Sequence, residues 1–524
     1  MRNEKKSQGI EFLRRARVTE TGFRKFIQKL DDDGKLLRVT QEIDTLDEIG
    51  AFIARVDYDG SDKSILFENP KGSDIPVFAN TIGASYRRIA DVFNMPVKQA
   101  VPGAARRMKE VMQNGGLPPV RVSNDEAPCK QVIMTGDEVD LSILPILRMN
   151  PEDGTKTSAF LEGRFMCAPA CSKPAEGAQN LSYHRFEITE KNQGSVWIFR
   201  QTGDAKSMEE CWNAKIDDPS STWDRESAKP FPMAFIMGVG PEFVLAGANS
   251  ALPHKNADFA FVGGLRGEAV KMVKCETIDV DVPADAEIII EGIFKPFNWA
   301  KQGRFASFNG FYDESRRRPV FDVTAITMRK KPIYQHIHIG RPLNETNNIA
   351  AFFRSVKVYQ DLIQVLPNIT DVFVDPSAGC GFTVHIAMDK KRVGEPKMAM
   401  MRAYTALGGF AKHVFVYDSD IDIHDPHERD WALAHRFMAD RDLLIIPNVI
   451  GMAIDPLAQG IMGKTAKLGV YDGTPEMPIN TRTFMGLDCT IPLGLKVMER
   501  VLPKPEVEAR IDEIWQAVMG EAKN

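Results

Sequence analysis

The chain has 524 residues, 43% of them hydrophobic and 26% charged, and a formal net charge of −5. It is too long for one hydrophobic core and implies about three domains of ordinary globular composition. The charge offers no basic surface for nucleic acid or an anionic membrane, and no run approaches the ~18 apolar residues of a spanning helix, so neither partner is expected.

The residues from Met1 to Lys6 are polar and lead into no apolar run, so a secretory signal is not expected. The seven cysteines (Cys129, Cys167, Cys171, Cys211, Cys275, Cys380, Cys489) are odd in number and scattered. That favours reduced thiols and a cytoplasmic location. Cys167 and Cys171 lack a second pair at zinc spacing and read as small buried hydrophobes.

In chain order, Phe23, Phe26, Ile27 and Leu30 recur at helical spacing and stop at Asp31 to Gly34. A strand from Leu36 to Ile43, a helix from Leu46 to Val56 and strands at Ser64 to Phe67 and Val77 to Ala79 complete an N-terminal αβ domain, 1–115. Pro102-Gly103, Gly115-Gly116 and Pro118-Pro119 mark a linker. Residues 116–330 change to short β runs between Gly and Pro turns, clearest at Ser195 to Phe199, Ala234 to Val239, Ile278 to Val282, Glu287 to Gly292 and Val320 to Val323. This pattern predicts a central β-barrel or a sandwich, and a barrel of this size can enclose one ligand. From 331 to 495 strand again alternates with helix, and a C-terminal α/β domain with a parallel sheet is expected. Val507, Ile511, Ile514 and Val518 form a stripe on a last helix within 496–524, behind Pro503 and Pro505. Such a helix can pair with another subunit or pack on its own chain.

The chemistry starts at Asn180-Leu181-Ser182-Tyr183-His184-Arg185, which holds a neutral oxygen ligand and a fixed cation five residues apart. On a strand they face opposite ways, and a bulge or strand end would let both address one site. An amide can reach a metal, and a guanidinium can hold a carboxylate or phosphate in bidentate fashion. Asp258, read as leading into a strand and a Gly-rich turn, could join Asn180 around a hard cation or simply cap a turn.

Asp140 to Pro145, Asn180 to Arg185, Asp258 to Glu268, Val273 to Thr277, Glu287 to Gly292, Gly303-x-Phe305 through Gly310 to Glu314, Ile333-Tyr334, Gly340 to Pro342, Asp418 to Ile423, Trp431-Ala432 and Lys467 to Gly473 resemble, in order, the signatures of the UbiD decarboxylase family. The resemblance implies prenylated FMN from a partner flavin prenyltransferase, a divalent metal (manganese or iron), potassium, and a homo-oligomer (dimer or hexamer). By that likeness Asn180 and Asp258 are metal ligands, although the family usually has Glu at the second. The third ligand, normally His, should fall near the end of the Val196 to Phe199 strand, where Arg200 stands. Arg cannot ligate but can bind the cofactor phosphate. The implied cofactor contacts are Asn180, Ser182, Tyr183, His184, Arg185, Arg200, Gln201 and Lys467, with Arg185 touching flavin and catalytic carboxylate and Lys467 the phosphate.

The family also places Glu before the Gly-x-Phe and again two residues after the Phe, and here Gln302 and Ser307 stand instead. Neither titrates near neutral pH. His336 and His338 alternate on an expected strand and are candidates for the missing proton transfer, beside ordered water. Arg304 and Arg185, unopposed by two glutamates, suit a further anion or an acyl group. Arg316-Arg317-Arg318 either meets CoA phosphates or is a solvated loop. The function expected is decarboxylation of an aromatic acid or its CoA thioester in anaerobic aromatic degradation, as divergent members such as phthaloyl-CoA decarboxylases suggest. Carboxylation in the reverse direction and a non-catalytic subunit of a larger carboxylase remain alternatives.

Overall fold

In the computed structural model, the described residues are 22–59, 61–154, 160–161, 163–173, 179–198, 203–216, 226–249, 258–313, 315–452, 454–455, 457–458 and 481–521. The N-terminal part comprises α1 (Phe23–Asp32), β1 (Leu36–Val39), α2 (Glu48–Tyr58), β2 (Ser64–Phe67), β3 (Val77–Ala79), α3 (Tyr86–Phe93) and α4 (Ala100–Gln113). The helical spacing of Phe23, Ile27 and Leu30 buries one stripe of α1 on Leu66 and Phe78, and Phe23 meets Phe78 edge-on at 5.2 Å between ring centroids. Gly34, at φ 65°, takes the left-handed turn that ends this segment and that a side chain would resist.

The central part begins with β4 (Val132–Thr135), β5 (Phe165–Ser172), β6 (Asn180–Glu190) and β7 (Gln193–Trp197). It continues through α5 (Gly203–Trp212), β8 (Phe231–Met237), α6 (Pro241–Gly247), α7 (Asp258–Arg266), β9 (Ile288–Gln302), β10 (Phe305–Ala306), β11 (Tyr312–Asp313) and β12 (Arg316–Met328). Among the described residues, β9, β8, β5, β6, β7 and β12 pair in that order, and β12 returns to β9, closing a six-stranded antiparallel barrel with β4 added alongside. Phe186, Phe235, Phe294 and Phe321 form an aromatic core with neighbouring centroids 4.9 to 5.5 Å apart. Burying each such ring contributes about 2–3 kcal/mol. Asp258 does not lead into a strand as expected: it opens α7, because Gly263 and Gly264 let that helix press on Leu117 and Val111, where a Cβ would come within 2.6 and 2.5 Å.

After the barrel β13 (Tyr334–Gln335) crosses back and pairs parallel with β3, so the N-terminal sheet runs β1-β2-β3-β13. Glu287 fastens the two parts: Arg24 of α1 grips both its oxygens at 2.7 and 2.9 Å. Then follow α8 (Glu345–Ile363), β14 (Ile369–Val374), β15 (Thr383–Met388), α9 (Glu395–Ala406), β16 (His413–Asp418), α10 (Pro426–Arg436), β17 (Leu443–Ile450), β18 (Thr481–Cys489) and the terminal α11 (Pro505–Glu521). Their sheet, β14-β15-β16-β18-β17, is parallel only through β15, β16 and β18. The two edge strands are antiparallel, which departs from the all-parallel expectation. All seven cysteines are unbridged, and six are buried. No described helix is long and apolar enough to cross a membrane.

Candidate active site

Strand β6 keeps one register with β5 from Asn180 to Glu187, and its irregularity against β7 comes later, between Ile188 and Glu190. Side chains therefore alternate without a break. Asn180, Ser182 and His184 go to one face; Tyr183, Arg185 and Glu187 go to the other. No bulge joins Asn180 to Arg185, so Asn180 can reach the arginine's side only around the strand end, where it is the first residue.

On the first face the organising group is Asp204 of α5, which sequence reasoning passed over. Its carboxylate accepts from Ser172 Oγ, from Asn180 Nδ2 at 2.9 Å and faces His184 Nε2 at 2.6 Å. Burial opposes its charge, but the His184 and serine hydrogen bonds prevail and hold its pKa below the usual carboxylate value. Ser182 Oγ lies 2.9 Å from His184 Nε2, and His184 Nδ1 faces the Trp197 carbonyl at 3.3 Å. Ser182 and His184 are thus engaged within the protein. Asp258 Oδ2 accepts the Leu181 N–H at 3.0 Å, which sets it beside Asn180. A cavity of about 310 Å³ opens there, lined by Arg121, Lys173, Gln179, Asp258 and Asp281 among others. Asn180 and Asp258 are two oxygen donors side by side, but no group of three His, Cys, Asp or Glu able to hold a metal occurs among the described residues. The donor set fits a divalent cation only in part.

On the second face Arg185 is buried, its guanidinium centre 3.8 Å from the Trp197 ring and 4.2 Å from Phe305. Nη1 donates to Asp313 Oδ2 at 3.1 Å, and Nε has no partner. Burial lowers its pKa to about 10, with Asp313 opposing the shift, so it stays charged at neutral pH. Two aromatic faces fix the cation's plane, and the orphaned donor points to a ligand with acceptors. Arg318 also lies over Trp197, at 4.8 Å, so the basic run flanks this site.

Strands β10 and β11 form a hairpin in which Phe305 stands opposite Asp313 and Ala306 opposite Tyr312. Asp153 pins it by accepting the Ala306 N–H at 2.8 Å, with its other oxygen taking two 3.0 Å bonds from Asn150. Burial pushes Asp153 up to about 6. Gln302 is buried and donates to the Ser195 carbonyl at 2.9 Å, leaving Oε1 without a partner. Ser307 is buried at the hairpin turn. Arg304 is not brought to Arg185: it is exposed, 5.0 Å over the Tyr312 ring.

Only Tyr334 and Gln335 of the expected histidine strand pair in a sheet; His336 and His338 follow, buried, with ring centroids 6.0 Å apart. Burial lowers both, His336 far below the usual histidine value and His338 to about 4, so both rings are neutral at pH 7. Both nitrogens of His336, Nδ1 of His338 and the Tyr183 hydroxyl lack partners. Arg200, Gln201 and Lys467 lie outside the described residues. Asp313 and Glu187 were legible only in part: Asp313 stands within the Gly310 to Glu314 signature without a role there, and Glu187 is two residues from Arg185, hence on its face.

Models of the N-terminal, Rift-related and C-terminal domains of 3-octaprenyl-4-hydroxybenzoate carboxy-lyase match residues 27–108, 120–342 and 347–471, nearly the whole chain. The chain belongs to the UbiD family of carboxy-lyases. Among solved structures, the UbiD-class enzyme HmfF from Pelotomaculum thermopropionicum, in complex with FMN, is 28% identical over 93% of this chain and 98% of its own, with a TM-score of 0.78. An evolved dimeric form of HmfF was solved with prenylated FMN, at 27% identity over 93% and 98% and a TM-score of 0.76. Vanillic acid decarboxylase from Sedimentibacter hydroxybenzoicus shares the UbiD fold at 24% identity over 94% and 99%, with a TM-score of 0.77.

Proposed function

We propose that this UbiD protein decarboxylates an aromatic acid or its CoA thioester with prenylated FMN. The observation that carries this is the buried Arg185 cation, clamped by Trp197 and Phe305 with Nε unsatisfied. Prenylated FMN, when bound, supplies the electron sink into which the C–C bonding pair passes as carbon dioxide leaves. The unsatisfied Arg185 Nε, Tyr183 hydroxyl and Gln302 Oε1 suit a polar ring system on this side of β6. Asn180, Arg185, Arg200, Gln201 and Lys467 would hold the cofactor, with Asn180 and Asp258 offering oxygens to a manganese or iron ion and potassium completing the phosphate site. Arg185 then orients the substrate carboxylate, and the aromatic walls exclude water around it.

Arg318 beside Trp197 extends positive charge from the site, which suits the thioester form of the substrate and its phosphates. The neutral Gln302 and Ser307 favour one competing reading, a non-catalytic subunit of a larger carboxylase. Supply of cofactor by a flavin prenyltransferase and pairing of α11 with a second copy complete the proposal. In α11, Ile511 and Trp515 remain 52% and 63% exposed on an apolar stripe that no other described residues cover.

The test is anaerobic purification after co-production with a flavin prenyltransferase, then native mass, absorption spectrum and carbon dioxide release. Bound prenylated flavin with release from an aromatic acid or thioester sustains the reading. Folded, colourless protein would promote the subunit alternative.

A further inference from the structure

Resting on that decarboxylase reading, we infer that Asp313 is the proton-transfer residue of this site, taking the place of the carboxylates absent at 302 and 307. The hairpin supplies the geometry. Gln302 precedes its outgoing strand β10 and Ser307 follows it, while Asp313 lies on the returning strand β11, directly across from Phe305. Phe305 is the ring beneath the Arg185 guanidinium, and Asp313 reaches that guanidinium from the same side at 3.1 Å. A carboxylate missing from one strand of the hairpin is therefore present on the other, at the same arginine.

The other carboxylates near Arg185 are committed elsewhere. Glu187 is buried and accepts the Gly303 N–H at 2.7 Å. Asp153 spends both oxygens on the Ala306 and Asn150 N–H groups. Asp313 engages only Oδ2, with no partner for Oδ1 among the described residues, and its side chain is 22% exposed, open to exchange with water. Among the described residues, the charged groups that meet this hairpin include Arg185, Asp153 behind it, and Glu152 and Arg304 at the neighbouring Tyr312.

An arriving aromatic carboxylate competes with Asp313 for Arg185 and places a second negative charge beside it. Two carboxylates sharing one cation favour protonation of one of them, so Asp313 takes up a proton as substrate binds. When the bond between ring carbon and carboxylate breaks and carbon dioxide leaves, that carbon keeps its valence by receiving the Asp313 proton. Asp313 returns to carboxylate beside Arg185, and water recharges it for the next turnover.

The test uses the FMN-loaded protein with benzoate as probe, titrated calorimetrically in buffers of different ionisation enthalpy, alongside turnover of vanillate, 3,4-dihydroxybenzoate and phthaloyl-CoA by the protein loaded with prenylated FMN. The expected result is uptake of about one proton per benzoate bound in the wild type, abolished in Asp313→Asn, with turnover reduced about 100-fold or more and recovered to within about tenfold by Asp313→Glu. Benzoate binding without proton uptake, or Asp313→Asn turning over at the wild-type rate, overturns the assignment while leaving the decarboxylase reading intact. Wild-type protein that binds benzoate with proton uptake but releases no carbon dioxide overturns the decarboxylase reading and with it the catalytic role. Failure of the wild type to bind benzoate removes the proton uptake and overturns the Asp313 assignment, while the decarboxylase reading stands or falls with carbon dioxide release in the turnover assay.

Discussion

Glu187 accepts the backbone N–H of Gly303 across 2.7 Å, so the strand carrying Arg185 is tied to the turn after Gln302. Both sides of the arginine's cage, Trp197 on β7 and Phe305 on β10, depend on this tie. Glu187→Gln keeps an oxygen in place and should cost about 1 kcal/mol, whereas Glu187→Ala strands a buried N–H and should cost about 3 kcal/mol. Urea unfolding of the two variants separates them.

Arg185 works as a plane as well as a charge. Arg185→Lys keeps the cation but gives up the double stacking on Trp197 and Phe305. Turnover should fall about 100-fold while far-ultraviolet dichroism stays unchanged, because Lys offers no rigid fork.

Asp57 should give the protein a pH-dependent stability. Burial, with Glu345 nearby, raises its carboxyl to about 8, and its Oδ2 and the Asn80 Oδ1 both lack partners. A carboxyl raised on folding binds its proton more tightly in the folded state, so its contribution to stability is full at acid pH and is lost as pH rises through 8. Relative to Asp57→Asn, which cannot titrate, the wild type should lose about 4 kcal/mol between pH 5 and pH 9. Parallel urea titrations at the two pH values measure this difference.

Gly238 has no room for a side chain. Its φ is +71°, and a Cβ would come within 2.0 Å of Glu287 Cγ, the carboxylate that anchors α1. Gly238→Ala should cost about 3 kcal/mol or more, read as a lower melting temperature.

The terminal helix should govern assembly. Ile511 and Ile514 lie on its exposed stripe, so Ile511→Glu with Ile514→Glu should lower the mass measured by light scattering without lowering the melting temperature of the body. An unchanged mass would remove α11 from the subunit interface.

Local pattern made much of this protein readable before folding. The α1 stripe, the short strands of the centre and the strand-helix alternation after 330 each follow from side-chain periodicity, which needs only neighbours in the chain. Asn180, Arg185 and Asp258 could be named because their signatures are contiguous. Periodicity says nothing about which strands meet, so the pairing of β9 with β12 that closes the expected barrel, the return of Tyr334–Gln335 to the N-terminal sheet and the antiparallel edges of the last sheet were not legible. Nor could spacing reveal that α7 is a helix, since its glycines matter only against Leu117 and Val111.

The sequence by itself determined the family, the composition of the barrel core and the absence of glutamates at 302 and 307. Only the tertiary structure decided what surrounds Arg185, because Trp197, Phe305 and Asp313 come from three different strands and meet it through register and hairpin closure. Burial, which sets the charge of His336, His338 and Asp153, is likewise a property of the packed whole.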